Sequence, residues 1–598
     1  MRRDRGELTS EPVGIQGAGT GSAVRDGVER ILFLVSANNG LSQRAWVALT
    51  ELGYRVAVAV VDSEAEMEAA VAEHQPELIV CPFLKRMIPE SIWSRHRCLI
   101  VHPGPVGDRG PSSLDWAIEL GAQAWGVTVL EANGKFDAGR VWASRKFPMR
   151  GVGKSSIYRH EVRHAAIEAL LEAIRRIGEG TGPPREVGRR AVAGDVARPL
   201  MTQDVRAIDW RSDSTEVVLR KIRAAEGHPG VLDEVHGVAF HVFGAHRERA
   251  LRGRPGDLIA TRTGAICRAT IDGSVWITHL KRKNTRAEHF FKLPATRALA
   301  LAGIELDVPE IAAAIHAAIP DDHTHREIVY HERAGVGYLR FDFYNGAMST
   351  GQCARLREAY AHARAASHTR VLVLLGGDDY FSNGIHLNVI EAADDPAAES
   401  WRNLVAINDV VREIVQTDSH VVVSALAGDA AAGGVPLALA ADYVVAREDI
   451  VLNPYYQHMG GLYGSEYWTY LLPRRVGDQI ATCLTSPPFT PVGARQAVKI
   501  GLLDAAFGAT LRDFHEQTRA LAERLVSAPD LQRRLEHKRR RRERDERVMP
   551  LGAYSREELA RSHACFFGGD PGYHDARHRF VYKLGNGAAP DHRALRAA

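Results

Sequence analysis

Cysteine is scarce in this chain, six in 598 residues: Cys81, Cys98, Cys267, Cys353, Cys483 and Cys565. None are paired at metal-ligand spacing, which removes zinc ribbons and disulfide scaffolds and fits small core residues in a reducing, cytoplasmic setting. HExxH is absent too, so no metal is expected despite 26 histidines. No run approaches the ~18 apolar residues of a membrane span. Neither charge sign is in excess: 76 basic against 73 acidic residues leave +3, no electrostatic ground for a nucleic-acid partner. Arg2 and Arg3 are followed by no apolar segment, so residues 1–29 read as a flexible leader, not an export signal. No internal repeat is evident.

What is present is organised in blocks. From Arg30, short apolar runs (RILFLV, RVAVAVV, ELIVCPF, CLIVHP) alternate with helix-like segments, the pattern of a parallel sheet covered on both faces. Residues 179–200 are rich in Gly, Pro and Arg and read as a linker closing the block 30–200. Residues 201–290 hold one helix and several short strand-like runs, a small β-barrel-like unit. A connector, 291–325, leads to a second α/β block, 326–548, and a tail, 549–598. The arginine-rich stretch EHKRRRRERDER (536–547) mixes signs and reads as a solvated helix face. The fold class expected is a multidomain α/β protein.

In the first block, VHPGPVGDRGPSSLDWAI places His102 just past an apolar run and before a loop too rich in Gly and Pro to be helical. The next strand ends in NGKFDAG, which brings Asp137 to the same edge. A histidine there can exchange protons near neutral pH. Taken alone, a loop histidine is equally a solvated residue, and Asp-x-Gly equally a turn. The ordered strings VCPFLKRMIPESIW, CLIVHPGPVGDRGPSSLDWAI and GVTVLEANGKFDAG resemble the folate-dependent formyltransferase family, and IDWRSDSTEVVLRKIRAAEGHPGVLDEVHGVAFHVFGA resembles that family's C-terminal barrel domain. The resemblance implies a Rossmann-like domain, 10-formyltetrahydrofolate as formyl donor, and His102 and Asp137 as catalytic residues. One departure matters: the family's Asn-x-His becomes Ile100-Val101-His102. Either Asn38, Asn39 or Gln43 of the first turn replaces the lost donor, or the acceptor is easier to formylate than an amine, as a thiol would be. Arg109 joins these three as an expected substrate contact.

In the second block, YFSNGIHL and SALAGDAAAGGVPLALAADYVVA each carry a turn after a strand, where backbone N–H groups can hold an oxyanion. Glycine turns are commonplace on their own. Together the segments resemble the enoyl-CoA hydratase/isomerase (crotonase) superfamily. That implies coenzyme A thioesters, with the amides of Asn383 and Gly433 as oxyanion hole and Gly384 beside them. Where hydratases carry two glutamates this chain has Pro436 and Tyr455 or Tyr456, so hydration of an enoyl thioester is not expected. NPYYQHMGGLYGSEYW (453–468) instead gathers five aromatic rings, three glycines and a single acid, Glu466. Tyr456, ending a strand, and Glu466, opening a helix, are expected to face the carbonyl from opposite sides. The alternative is that Tyr456 packs in the core and Glu466 merely favours a helix start.

HPGPVGDRGPSSLDWAI, FSNGIHLNVIEAA, LNPYYQHMGGLYGSEYWTYLLPRRVG and FFGGDPGYHDARHRFVYK also resemble a family of nickel–iron hydrogenase maturation proteins that fuse the two units. The resemblance implies formyl transfer to coenzyme A, then release of CO as a ligand for the hydrogenase iron, with the maturation machinery (an iron-carrying chaperone complex) as partner. Two rival readings are a bifunctional formyltransferase and acyl-CoA enzyme without CO release, and a non-catalytic folate- and CoA-binding scaffold.

Overall fold

The structure is a computed structural model that describes residues 28–183, 196–315 and 324–584. Nearly all of the expected leader, the middle of the linker, part of the connector and the last residues of the tail lie outside these ranges.

The first block builds a six-stranded sheet. Its order is Arg55–Val60, Arg30–Val35, Leu78–Cys81, Cys98–His102, Ala124–Glu131, Val141–Pro148. The first four strands are parallel and are covered on both faces, which is why Ile31 to Val35 are all buried and read as one continuous apolar run. The last two run antiparallel, a departure from the all-parallel expectation. Val141–Pro148 is reached by a hairpin instead of a helical crossover, with Asp137 in the turn at φ 50°. The helix Gly40–Glu51 begins where the Asn39 side chain accepts the Ser42 N–H. It buries Leu41, Ala45, Ala48 and Leu49 on one stripe, each large side chain contributing about 1.5–3 kcal/mol.

The second block is an antiparallel sheet ordered Leu258–Arg262, Ala265–Ala269, Ser274–Arg282, Val238–Glu248, Val231–Val235, with the helix Thr215–Ala225 packed on it.

The third block has two sheets. The larger, mostly parallel one comprises Ile328–Arg333, Val336–Phe341, Val371–Leu375, Val421–Leu426, Tyr443–Ala446 and Ala505–Ala506. The smaller places Tyr380–Ser382, Asp429–Ala431 and Val451–Asn453 side by side in parallel, with Val492–Gly493 at its edge. Asn383, Gly433 and Tyr456 each follow within a few residues of one of these short strands.

Two features differ from expectation. The helices Leu551–Phe567 and Gly572–Tyr582 are not a loose tail. They are anchored by a buried carboxylate, Glu391, bonded to Arg577 (2.6 Å) and His578 (2.7 Å), and by Tyr573 against Ser400 (2.8 Å). The end of the linker is likewise structural: Val196–Ala197 pairs with Asp108–Arg109 in the loop after His102. The arginine-rich stretch lies in the helix Leu531–Val548, whose one buried residue is Leu535.

A row of ion pairs joins the first block to the third: Arg159 to Asp379 (2.8 Å), His160 to Asp379 (3.0 Å), Arg163 to Asp429 (2.8 Å) and His164 to Asp449 (2.7 Å). No described helix is long and apolar enough to cross a membrane.

Candidate functional site

His102 closes the strand Cys98–His102 and is buried. Its Nδ1 lies 3.4 Å from Asp137 Oδ2, so the hairpin turn and the strand end meet. Asp137 is itself fixed by the Gly110 N–H at 3.2 Å. On the other side of the ring Nε2 is 3.1 Å from Asp108 Oδ2. Burial pushes the Asp108 carboxyl up, but bonds from His102, Ser113 and Arg198 outweigh it and hold Asp108 below its ordinary value. Sequence reasoning missed Asp108. Its signal was a lone acid in a Gly/Pro loop, meaningless until the loop folds back. Gly104 permits the fold-back: a Cβ there would stand 2.3 Å from His102 Nε2 and 2.4 Å from Asp108 Oδ2. The imidazole is thus flanked by two carboxylates, an arrangement that fixes its orientation and lets it carry a proton during attack on a carbonyl.

The first-turn residues divide. The Asn39 side chain is spent on capping its helix and on Tyr158. Gln43 donates to the Asn38 carbonyl (3.1 Å) and accepts from Asn453 of the third block (3.0 Å), so it ties two domains together. Both are corrections to the idea that these amides stand in for the asparagine lost at Ile100. Asn38 is exposed, with no side-chain bond among the described residues, and keeps its amide available. Arg109 is half-buried in the short strand beside Ala197.

In the third block the three short parallel strands deliver Asn383 to Ile385, Ala432 to Gly433, and Tyr455 to Tyr456 to one place. The Asn383 amide is already committed, its N–H donating to the Gly346 carbonyl at 2.7 Å and its side chain to the Asn345 carbonyl at 2.8 Å. It is therefore no oxyanion donor, a correction. Among the described residues the N–H groups of Ile385 and Gly433 at this edge donate to no protein acceptor. Gly384 lies between them with φ 78°, and a Cβ on it would be 3.1 Å from Gly433 N. The glycine is what allows the two segments to close.

The aromatic, glycine-rich stretch now has an explanation. Glu466 and Tyr467 both have left-handed backbones, φ 62° and 57°, and the helix starts only at Trp468. Glu466 is thus not the first residue of a helix, as expected, but the apex of a turn. Nor do Tyr456 and Glu466 oppose each other: Tyr456 Oη donates to Glu466 Oε2 at 2.8 Å, and the Ser465 N–H adds a second bond to the same oxygen at 3.0 Å. Among the described residues Oε1 accepts no hydrogen bond, and it abuts Gly433, where a Cβ would meet it at 2.3 Å. Gly464, φ 81°, makes room for the Tyr456 ring, which a Cβ would meet at 2.5 Å. Gly460, φ 58°, packs against the Gly572 carbonyl. Each glycine admits one contact, and together they bury one acid. Burial raises the Glu466 carboxyl to about 7, partly offset by its two hydrogen bonds, and burial beside Glu466 pushes the Tyr456 phenol well up. The shared proton therefore sits on tyrosine, and Glu466 titrates near neutrality. Tyr455 instead bonds Asn453 and packs on Phe489. Pro436 lies in the helix Gly434–Leu439.

Fold and site together define a formyltransferase joined to an enoyl-CoA hydratase/isomerase-type unit. Family models agree in the same order: formyl transferase over residues 30–174, formyl transferase C-terminal domain over 200–293, and enoyl-CoA hydratase/isomerase over 331–555. The chain is 45% identical over 578 residues to the hydrogenase maturation factor HoxX of Bradyrhizobium diazoefficiens, covering 95% of this chain and 98% of that one. It superposes on HypX from Aquifex aeolicus, solved in complex with tetrahydrofolic acid, with TM-score 0.88 and 41% identity over 94% and 97% of the two chains. A methionyl-tRNA formyltransferase of Bacillus licheniformis matches 39% of this chain and 74% of its own length at 24% identity. The chain belongs to the HoxX/HypX family of hydrogenase maturation factors.

Proposed function

We propose that this chain makes carbon monoxide for hydrogenase maturation: it moves formyl from 10-formyltetrahydrofolate to the thiol of coenzyme A, then splits formyl-CoA into CO and CoA. The tetrahydrofolic acid held by the Aquifex relative supports folate at the first site. There His102, held by Asp137 and Asp108, takes the thiol proton as sulfur attacks the formyl carbon and returns it to the departing folate nitrogen. Asn38 and Arg109 are the side chains proposed to contact substrate. The absence of an asparagine at Ile100 is tolerable because a thiolate is a strong nucleophile.

At the second site the Ile385 and Gly433 amides hold the formyl oxygen. Its carbon then lies beside the free Oε1 of Glu466. Glu466 takes the formyl proton, the C–H electron pair stays on carbon, and the C–S pair leaves with sulfur. Tyr456 donates its proton to the thiolate, and the Glu466 carboxyl, having taken the formyl proton, returns one to the tyrosine before the next turnover. Atoms balance: HC(=O)–S–CoA gives CO and HS–CoA, and no other reactant is consumed. The single observation that carries this reading is a buried carboxylate with one oxygen bonded to a tyrosine and the other free against Gly433, in a fold whose hydratase glutamates are gone. The product would be handed to the hydrogenase maturation machinery.

The test is to incubate the purified full chain with carbon-13-labelled formyl-folate and CoA and to trap gas with reduced haemoglobin. Labelled CO that requires both substrates supports the proposal. Labelled formate alone, with no CO, would sink it and favour a formyltransferase without CO release.

A further inference from the structure

The Glu466 turn has a costly shape. Two consecutive left-handed residues with side chains are strained and persist only where the surroundings over-determine them. Those surroundings come from the helix Leu551–Phe567. Glu558, fully buried, accepts the Tyr467 N–H (2.9 Å) on Oε2, where it shares the Ser465 hydroxyl (3.4 Å) with Asn408 Oδ1 (3.1 Å), and the Thr469 N–H (2.8 Å) and hydroxyl (2.5 Å) on Oε1. Ser562 of the same helix donates to the Gly464 carbonyl at 2.7 Å, and Asn408 Oδ1 takes the Glu466 N–H at 3.0 Å. No cation pairs with Glu558 among the described residues. A buried carboxylate without a counter-ion is a poor device for stability, since an apolar side chain of the same volume costs less. It is a good device for gathering four donors of one turn onto one rigid point.

We propose that Glu558 is a positioning residue of the second site: it holds the Ser465–Thr469 turn so that the free oxygen of Glu466 faces Gly433, and its like charge behind that turn adds to what makes Glu466 keep a proton. This rests on the reading of Glu466 as proton acceptor. The groups facing Glu466 are Tyr456 from the loop after Val451–Asn453, Glu558 from the helix Leu551–Phe567, and Cys353 from the helix Thr350–Ala365. Asp409 and Arg412 of the helix Pro396–Gln416 face the Tyr467 side of the turn. Burial holds Glu558 at about 7, with its four donors opposing a further rise, so it is charged on the alkaline side of neutrality.

The test uses the full chain as wild type, Glu558→Gln, Thr469→Val and Glu466→Gln. Glu558→Gln removes the charge and turns an NH2 toward one pair of donors. It lowers kcat for CO release roughly ten- to a hundredfold with KM for CoA within twofold, since misplacing a reacting group by ~1 Å costs about that much. It also moves the acidic limb of the rate profile to lower pH, because a like charge has been removed. Thr469→Val removes one donor and leaves the charge: kcat falls several-fold and the limb stays. Infrared titration of the carboxylate band lost in Glu466→Gln gives the Glu466 midpoint directly, and that midpoint drops in Glu558→Gln. A folded Glu558→Gln with unchanged kcat and an unmoved midpoint overturns the proposal, and so does a Thr469→Val protein of wild-type kcat should Glu558→Gln fail to fold. If the wild type releases no CO, the functional reading fails, and the infrared midpoint still decides the role of Glu558.

Discussion

At the scale of single residues, a carboxylate with one free oxygen makes sharp predictions. Glu466→Gln abolishes CO release, a loss of ~10²–10⁴-fold, while tetrahydrofolate formation at the first site stays near wild type. Parallel assays of CO by haemoglobin and of folate by absorbance check this. Only the ionised form accepts a proton, so CO release should fall about tenfold per pH unit below about 7. Stability runs the other way. A carboxyl raised in the folded state stabilises the fold while it is protonated, and that contribution is lost as pH rises from the ordinary carboxylate range through about 7. Glu466→Gln should therefore melt at or above wild type at pH 8, read by calorimetry. Gly104→Ala drives a Cβ into the His102–Asp108 pair and should lower tetrahydrofolate formation at least a hundredfold, with a stability cost of about 1–3 kcal/mol.

At the scale of elements, the informative cases are those where local pattern misled. EYWTYLLPRRVG has helical periodicity from its first residue, yet its first two residues turn the other way, because Glu558 and Asn408 take their N–H groups. Nothing local to residues 465–469 announces a carboxylate about ninety positions downstream. The C-terminal helices read as a tail because what they pack on lies far upstream. Phe566 and Tyr573 are buried with Leu404, Tyr456 and Leu462, and polar contacts and the Gly460–Gly572 backbone approach complete the seat. Gly460→Ala should unseat the helix Gly572–Tyr582. Hydrogen exchange would report faster opening there than in the Arg30–Val35 strand.

At the scale of the whole molecule, the first block is locked to the third by buried charge. Arg163 is almost wholly buried against Asp429, whose strand leads into Gly433, and Gln43 reaches Asn453 in the neighbouring strand. Breaking one side of such a pair costs about 3–5 kcal/mol because a charge is left unpaired. Arg163→Ala should therefore loosen the domain contact and uncouple the two sites. Formyl-folate would still be consumed, but a larger share would appear as formate, measured as the ratio of formate to CO. Had the two units been independent enzymes sharing a chain, that ratio would not move.

The sequence by itself determined the three units and their order. Apolar runs, glycine turns and motif order are local properties, written where they act. Which amides are free, that Asp108 joins Asp137 beside His102, and which oxygen of Glu466 is unpaired were decided by tertiary structure alone. The Asn383 amide is spent on Gly346, Gln43 on Asn453, and Glu466 is shaped by Glu558. A hydrogen bond is a statement about two partners, and here the second partner lies tens to hundreds of positions away, in an order that only the folded chain defines.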